Sequence, residues 1–301
     1  FNASAILQEL HAKNNFVINE FIILKSIHND EFYKIFRFKG NKVFSEVKSH
    51  ENILWGIKGK NPQQEMVIDL LLDDDVKLVV LCGPSGTGKT FLVLATLLYK
   101  VLCAQTYQKL LVSRPLVPLG PDIGYLPGDL YEKLQTWMQP VRDNLECLLY
   151  QINSNVQTTG SVCQEEEDYE QHKKGKKIKQ KKKNWNNVGM LQNNYLSVDD
   201  LVGNHGKIAL EAITYMRGRS IPFQAIFIDE VQNLTPHEVK TLISRAGEGS
   251  KIVLVGDPYQ IDSPYLDFST NGLVIASERL KGQEVFGSVY LHTSERSILS
   301  S

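Results

Sequence analysis

Eight consecutive residues have the types and spacing needed to hold a chain of phosphates. They are Gly83-Pro84-Ser85-Gly86-Thr87-Gly88-Lys89-Thr90, which fits the pattern G-x-x-x-x-G-K-[ST]. The glycines allow a tight turn in which successive backbone N–H groups point at phosphate oxygens. The Lys89 ammonium can reach the terminal phosphates, and the Thr90 hydroxyl can ligate Mg²⁺. A structural glycine turn is the alternative, but the strand predicted before the motif and the helix predicted after it favour phosphate binding.

A second group of polar residues follows two apolar runs further along the chain. Asp229 and Glu230 end the run Ile226–Ile228, and Gln260 follows the run Lys251–Val255. Because side chains alternate along a strand, the two acids cannot do the same job. Beside a phosphate loop, the first acid suits Mg²⁺ and the second suits polarising a water, while Gln260 can hydrogen-bond the terminal phosphate. Open α/β sheets bind ligands at the carboxyl ends of their strands, so we expect these residues to meet the loop.

The elements that must position these residues alternate between strand and helix from about Trp55 onward. Short apolar runs predict strands at Lys77–Cys82, Lys109–Ser113, Ala225–Asp229 and Lys251–Val255. Periodic apolar residues predict helices at Lys89–Val101, Asp129–Leu149 and Pro236–Ala246. This alternation indicates an α/β fold with a parallel sheet sandwiched by helices.

The first part of the chain has a different pattern. A short helix is predicted over residues 1–15, followed by three strand-like runs at Phe16–Leu24, Phe32–Phe38 and Lys42–Val47. Turn-forming residues separate these runs, which favours a small antiparallel β element. We therefore divide the chain into an N-terminal helix plus β-rich element, residues 1–54, and a larger unit, residues 55–301.

Residues 151–195 interrupt the larger unit. Glu165–Asp168 is acidic, Lys173–Lys183 is nearly all lysine, and no apolar face is visible between them. This composition predicts a surface insertion that is largely disordered. A lysine tract can touch phosphate backbones, and a solvated loop is the alternative. We expect deletion of residues 161–183 to leave the fold intact.

The composition is that of a globular chain with a core. Of 301 residues, 42% are hydrophobic and 22% are charged, and the formal net charge is −1. Any nucleic-acid surface must therefore be a local patch. No apolar stretch approaches the roughly 18–20 residues of a membrane span, and no secretory leader opens the chain. The four cysteines lack metal spacing and are predicted to be reduced thiols of a cytoplasmic protein: Cys82, Cys103, Cys147 and Cys163.

Six motifs occur in the order found in PhoH-like ATPases, and the chain resembles that family from about Gly56 to Ser297. They are the phosphate loop, Ser113–Pro115, Gly124–Asp129, Tyr215–Arg219, Ile228–Asn233 and Gly256–Asp262. The resemblance implies a RecA-like P-loop NTPase fold, similar to the first such domain of superfamily 1 helicases. The stretches Trp55–Lys58, Asn61–Gln64 and Pro264–Asp267 resemble the branch in which a PIN ribonuclease domain precedes the ATPase. The residues upstream of the motifs are too few for such a domain, which is either truncated away or absent.

The family resemblance also implies a function and assigns residues to it. Members of this branch are described as ATP-dependent RNA helicases, so it implies ATP, Mg²⁺ and RNA or another single-stranded nucleic acid. It assigns Gln64 to adenine recognition, because one amide can donate to and accept from the adenine edge. It assigns a nucleic-acid strand to Arg114, Pro115 and Gly128. The alternatives are an exposed glutamine at a helix start and, for Arg114, an ion pair within the fold.

Catalysis also needs an arginine to neutralise charge in the transition state, since its fork bridges phosphate oxygens. Arg296 and Arg219 are the best candidates, and a surface ion pair is the alternative for each. No second RecA domain is evident, so the arginine comes from a late segment of this chain or from a neighbouring subunit. We prefer the neighbour, and hence a homo-oligomer such as a ring. A P-loop ATPase that remodels protein partners without unwinding is the alternative function.

Overall fold

The computed structural model is an α/β fold built around a six-stranded parallel sheet. It describes residues 3–27, 32–50, 52–115, 137–159, 162–163, 196–202, 206–216 and 218–295. The sheet has the order β6-β5-β7-β8-β4-β9. Its strands are β4 Leu78–Cys82, β5 Lys109–Ser113, β6 Ile208–Leu210, β7 Gln224–Ile228, β8 Lys251–Gly256 and β9 Phe286–Tyr290. The predicted parallel sheet is therefore confirmed.

Side chains alternate between the two faces along each strand, so an apolar run makes both faces of the sheet apolar. Helices cover both faces. Val79 and Leu81 of β4 belong to one apolar core, whereas Val80 and Cys82 belong to the other. Helices with buried residues in the first core are α2 Pro62–Leu72, α3 Lys89–Leu102, α4 Gln139–Thr159 and α5 Val198–Leu201. Those with buried residues in the second are α6 Ile213–Met216, α7 Pro236–Ile243 and α8 Gly272–Arg279.

A small antiparallel sheet lies near the N-terminus, as predicted. Helix α1, Ala3–Lys13, precedes strands β1 Phe21–Lys25, β2 Tyr33–Phe38 and β3 Phe44–Glu46, in the order β1-β2-β3. The buried Arg37 of β2 forms ion pairs with Asp69, at 3.1 Å, and with Asp73 at the end of α2. Asn19 donates to the Phe286 carbonyl of β9 at 2.8 Å. The small sheet is thus attached to the larger unit, while the division at residue 54 stays a prediction.

Helix α4 corrects one boundary. It runs to Thr159, well beyond the predicted end at Leu149, and Ile152 and Val156 are buried in the first core. Residues 151–159 therefore belong to this helix and not to a disordered insertion. Most of the remaining residues of the predicted insertion lie outside the described residues.

The cysteines correct a second prediction. Cys103, just after α3, forms a disulfide with Cys163, with their Cα atoms 5.3 Å apart. Trp55 Nε1 also donates to the Val162 carbonyl at 2.6 Å. The prediction of four reduced thiols was wrong because the pair is 60 residues apart in sequence and meets only through the packing of α4 along α3. Among the described residues, none of the helices has the length and apolar character that a bilayer crossing requires.

Candidate nucleotide-binding site

The loop between β4 and α3 wraps around the Lys89 ammonium. Lys89 Nζ donates to the backbone oxygens of Gly83 and Pro84, both at 2.7 Å, and to Thr87 Oγ1 at 3.3 Å. Gly88, the N-cap of α3, has a φ of 85°, which glycine adopts without strain. A Cβ at Gly83 would lie 2.3 Å from a backbone oxygen just after β9. The turn therefore requires glycine at both positions.

Carboxylates at the ends of neighbouring strands surround this ammonium. Burial lowers the pKa of Lys89, while Asp257, Asp229 and Glu230 oppose that shift. Burial and the nearby Glu230 raise the pKa of Asp229 to about 6, with Arg114 acting in the opposite direction. Several ionisable groups are therefore concentrated where these strands end. Burial raises the free energy of their charged forms.

The oxygens of Thr90 and Asp229 fit a magnesium ion. Thr90 Oγ1 donates to Asp229 Oδ2 at 3.4 Å, and hydroxyl and carboxylate oxygens are ligands that Mg²⁺ prefers. The described residues contain no group of three or more His, Cys, Asp or Glu side chains that could hold a metal by themselves. A Mg²⁺ ion here would therefore take further ligands from phosphate and water, which is its usual behaviour in phosphate sites.

Both carboxylate oxygens of Glu230 already accept hydrogen bonds. Oε1 accepts from Arg114 Nη2 at 3.0 Å, and Oε2 accepts from Gln232 Nε2 at 2.6 Å. Gln232 also donates to the Gln260 backbone oxygen at 2.9 Å, so these groups form one network. The ion pair within the fold that was the alternative for Arg114 is confirmed. Contact with a nucleic-acid strand stays a prediction for Arg114 and for Pro115, which is buried. Gly128 lies outside the described residues.

Gln64 ties α2 to the phosphate loop. Its side chain is 4% exposed. Its Oε1 accepts from the backbone N–H of Lys60 at 2.9 Å, and its Nε2 donates to the Thr87 carbonyl at 3.0 Å. Asn61, the N-cap of α2, accepts from the Gln64 backbone N–H. Gln64 is thus engaged with backbone on two sides, and adenine recognition stays a prediction.

The two candidate arginines are placed differently. Arg219 is exposed and pairs with Glu211 at 3.0 Å, as expected for a surface ion pair. Arg296 lies outside the described residues. Glu295, immediately before it, reaches the phosphate loop, because its backbone N–H donates to the Gly86 carbonyl at 3.0 Å. Charge neutralisation by either arginine stays a prediction.

A cavity of about 720 Å³ opens where these groups meet, within the size range of small-molecule sites. The predicted residues that line it are Gln64, Ser85, Gly86, Gly88, Lys89, Thr90, Asp229, Glu230 and Gln260. The remaining loop residues, Gly83, Pro84 and Thr87, do not line the cavity, but all three accept hydrogen bonds from Lys89 Nζ. Sequence reasoning missed a second set of lining residues, which includes Lys58, Asn144, Cys147, Gln151 and Glu295. No local pattern marks the three residues of α4, because their place in the lining depends on how this helix packs. Lys58 lies in a stretch that carries the family resemblance, but the sequence does not show that it lines the cavity.

The fold and the site together define the P-loop NTPase class: a glycine turn with a buried lysine lies after a central parallel strand, beside acids that end another strand. The sequence model described as "PhoH-like protein" matches residues 56–298. The chain therefore belongs to the PhoH-like family.

The relatives agree with this assignment. The chain is 46% identical over 262 residues to Protein PhoH2 of Bacillus subtilis (strain 168), covering 87% of this chain and 50% of that protein. It is 32% identical over 249 residues to Protein PhoH2 of Mycolicibacterium smegmatis, covering 82% and 46%. The chain thus spans about half the length of these relatives. The solved Pif1 helicase from Candida albicans matches with a TM-score of 0.33 and 15% identity, over 77% of this chain and 40% of that one.

Proposed function

We propose that the chain is a Mg²⁺-dependent ATPase that works as a helicase-like motor on RNA or another single-stranded nucleic acid. The observation that carries this proposal is that Lys89, the Thr90–Asp229 pair and Glu230 all line one cavity. A cation for the terminal phosphates, oxygen ligands for Mg²⁺ and a carboxylate beside them are the groups that triphosphate hydrolysis uses.

Each of these side chains has a distinct role in the proposal. Lys89 stabilises charge on the terminal phosphates, and Thr90 with Asp229 holds the metal. Bound Mg²⁺ supplies charge neutralisation at the phosphate oxygens. Glu230 accepts a proton from the attacking water, and Gln260 orients that water. Arg296 or Arg219, from this chain or from a neighbouring subunit of a homo-oligomer such as a ring, neutralises charge in the transition state.

Arg114 supplies the proposed link between nucleic acid and hydrolysis. Its side chain is 16% exposed and is paired with Glu230. A backbone phosphate that takes over this guanidinium frees one Glu230 oxygen to accept a proton. Because the net charge of the chain is −1, such a contact depends on local groups like Arg114, Pro115 and Gly128 and not on a general field.

The test is the rate of phosphate release with and without poly-U RNA or single-stranded DNA. We expect nucleic acid to raise turnover in the wild type and Arg114→Ala to lose that stimulation. Glu230→Gln is expected to bind ATP but to hydrolyse it about 10²–10⁴-fold more slowly, because it cannot take up the proton. Normal turnover in Glu230→Gln would refute Glu230 as the base.

A P-loop ATPase that remodels protein partners is the second candidate, favoured by the near-zero net charge of the chain. Turnover that is unchanged by every nucleic acid would support it.

Because the relatives are about twice as long, we also propose that a PIN ribonuclease domain lies upstream in the full protein. That domain would couple the motor to RNA cleavage, and the upstream sequence decides the matter. A cytoplasmic location is likewise part of the proposal.

A further inference from the structure

The nucleoside of a bound triphosphate needs polar groups that are not already engaged, and both ends of the Gln64 amide are bound to backbone. Gln64 is nearly fully buried, and its amide holds the backbone of Lys60 on one side and of Thr87 on the other. Hydrogen bonding to a base through these same atoms would loosen the attachment between α2 and the phosphate loop. Other polar side chains that face the cavity are therefore better candidates.

The phosphates fix how a nucleotide must lie. Lys89 and the acids at the strand ends define the end of the cavity that receives the terminal phosphates. Beyond the first turn of α3, which adds Phe91 and Leu92, the rest of the lining comes mainly from residues 56–58 with Lys60 and from helix α4. The nucleoside must leave the phosphate loop toward groups other than the acids, so these two segments are the walls available to it.

Helix α4 presents a polar stripe to the cavity. Asn144, Cys147 and Gln151 are spaced i, i+3 and i+7, so they share one side of the helix and all line the cavity. The same helix buries Leu148 and Ile152 in the first core, which fixes its rotation. Its stripe is therefore held in place, with the Cys147 thiol exposed.

Resting on the proposed function, we propose that this stripe of α4, together with residues 56–58 and Lys60, forms the nucleoside subsite of the ATP-binding cavity. The amide of Gln151 can donate and accept, which suits the polar edge of a base or the ribose hydroxyls. Asn144 Nδ2 already donates to the Pro140 carbonyl at 2.7 Å, so this amide offers its oxygen and its second N–H, whereas both ends of the Gln64 amide are bound to backbone. The alkyl and thiol surface of Cys147 between them packs against the flat part of the ligand. This helix determines how tightly the nucleoside is held, while the phosphate loop holds the phosphates.

Cys147 is itself the probe for the test. Of the four cysteines, Cys103 and Cys163 are bonded to each other, and burial raises the pKa of Cys82 to about 12, so Cys147 is the reactive thiol. The experiment measures the rate of its alkylation by N-ethylmaleimide under non-reducing conditions, read by mass spectrometry. ATP with Mg²⁺ is compared with tripolyphosphate and Mg²⁺, which fills the phosphate loop but has no nucleoside. Cys147→Ser identifies the labelled site.

We expect ATP at ten times its dissociation constant to slow alkylation about tenfold, and tripolyphosphate to have little effect. Equal protection by both ligands would overturn the subsite, because the phosphates alone would then account for it. Binding of radiolabelled ATP in equilibrium dialysis without protection of Cys147 would overturn the subsite and leave the proposed function standing. Absence of ATP binding would overturn both.

A substitution gives an independent readout. Gln151→Ala is expected to weaken ATP binding about threefold to tenfold, the loss of one hydrogen bond, while the affinity for tripolyphosphate stays the same. Glu146→Gln, at an exposed position of the same helix outside the cavity lining, is the matched control. An equal loss of affinity for both ligands in Gln151→Ala would show a general disturbance of α4 and would contradict the subsite.

Discussion

Two buried lysines lie at opposite ends of the strands of the six-stranded sheet, one where the strands end and one where they begin. Both donate to backbone carbonyls. Lys89, at the carboxyl edge, binds the carbonyls of its own loop and faces an open cavity among three acids. Lys251, at the amino edge, is 0% exposed and donates to the carbonyls of Leu70, Leu71 and Asp73 at the end of α2. Burial, and then the nearby Lys100, lowers the pKa of Lys251 to about 7.

The difference separates a lysine whose partners are structural from one that we propose binds a ligand. The partners of Lys251 are the last carbonyls of a helix, which would otherwise lack donors, so its hydrogen bonds complete the fold. The partners of Lys89 belong to a turn beside a cavity, where phosphate oxygens can replace them. Burial of a lysine therefore does not by itself indicate its role, whereas the groups that accept its hydrogen bonds do.

The largest effect is expected from Lys89→Ala. Removing the ammonium that we propose stabilises the terminal phosphates should reduce turnover by at least about 10²–10³-fold. The melting temperature should change little, because water in the open cavity can replace the ammonium at the Gly83 and Pro84 carbonyls, and because burial already disfavours the charged form of Lys89, as its lowered pKa shows. Phosphate release and differential scanning calorimetry measure the two effects. Preserved turnover would contradict the functional role of this edge.

Lys251→Met should show the opposite behaviour. Methionine keeps the apolar stem but leaves helix carbonyls without donors, which should lower the free energy of unfolding by about 2–4 kcal/mol. Turnover per folded molecule should be retained. Urea unfolding measures the change, with Lys77→Met at an exposed position of the same edge as control. Equal free energies of unfolding for Lys251→Met and Lys77→Met would contradict a structural role for the hydrogen bonds of Lys251.

Asp229→Asn is expected to stabilise the ligand-free protein at pH 7.5 by about 1–3 kcal/mol. The folded pKa of Asp229, about 6, exceeds its ordinary value of 3.8. The folded state thus binds this proton more tightly, so the stability it contributes is lost as pH rises through 6. Urea unfolding should therefore show a smaller gain at pH 5 than at pH 7.5. The exposed Asp75→Asn is the control, and a gain independent of pH would rule out this explanation.

The smallest effect concerns the segment after α4. Deleting residues 164–183 should change the free energy of unfolding by less than about 0.5 kcal/mol, since these residues have no apolar face. Deleting residues 161–183 should lower it, because Val162 and Cys163 contact Trp55 and Cys103. The expectation that the longer deletion leaves the fold intact stays a prediction. Thermal unfolding of the two variants decides, and equal melting temperatures would refute a structural role for the two residues.

Local patterns predicted the strands and the phosphate loop, because a buried parallel strand is a continuous apolar run and a phosphate turn has fixed glycines. The end of α4 was also present in the sequence: Ile152 and Val156 continue the spacing of Leu145 and Leu148, but the polar residues between them concealed it. The disulfide and the lining by α4 could not be found in this way, since both depend on contacts between distant segments.

Helix α2 joins features that were described separately. Its first turn holds the phosphate loop through Gln64, and its last turn is held by Lys251 and by Arg37 of the small sheet. With 11 residues it is a stiff rod about 16 Å long. We therefore expect a displacement of the small sheet to be transmitted through α2 to the phosphate loop.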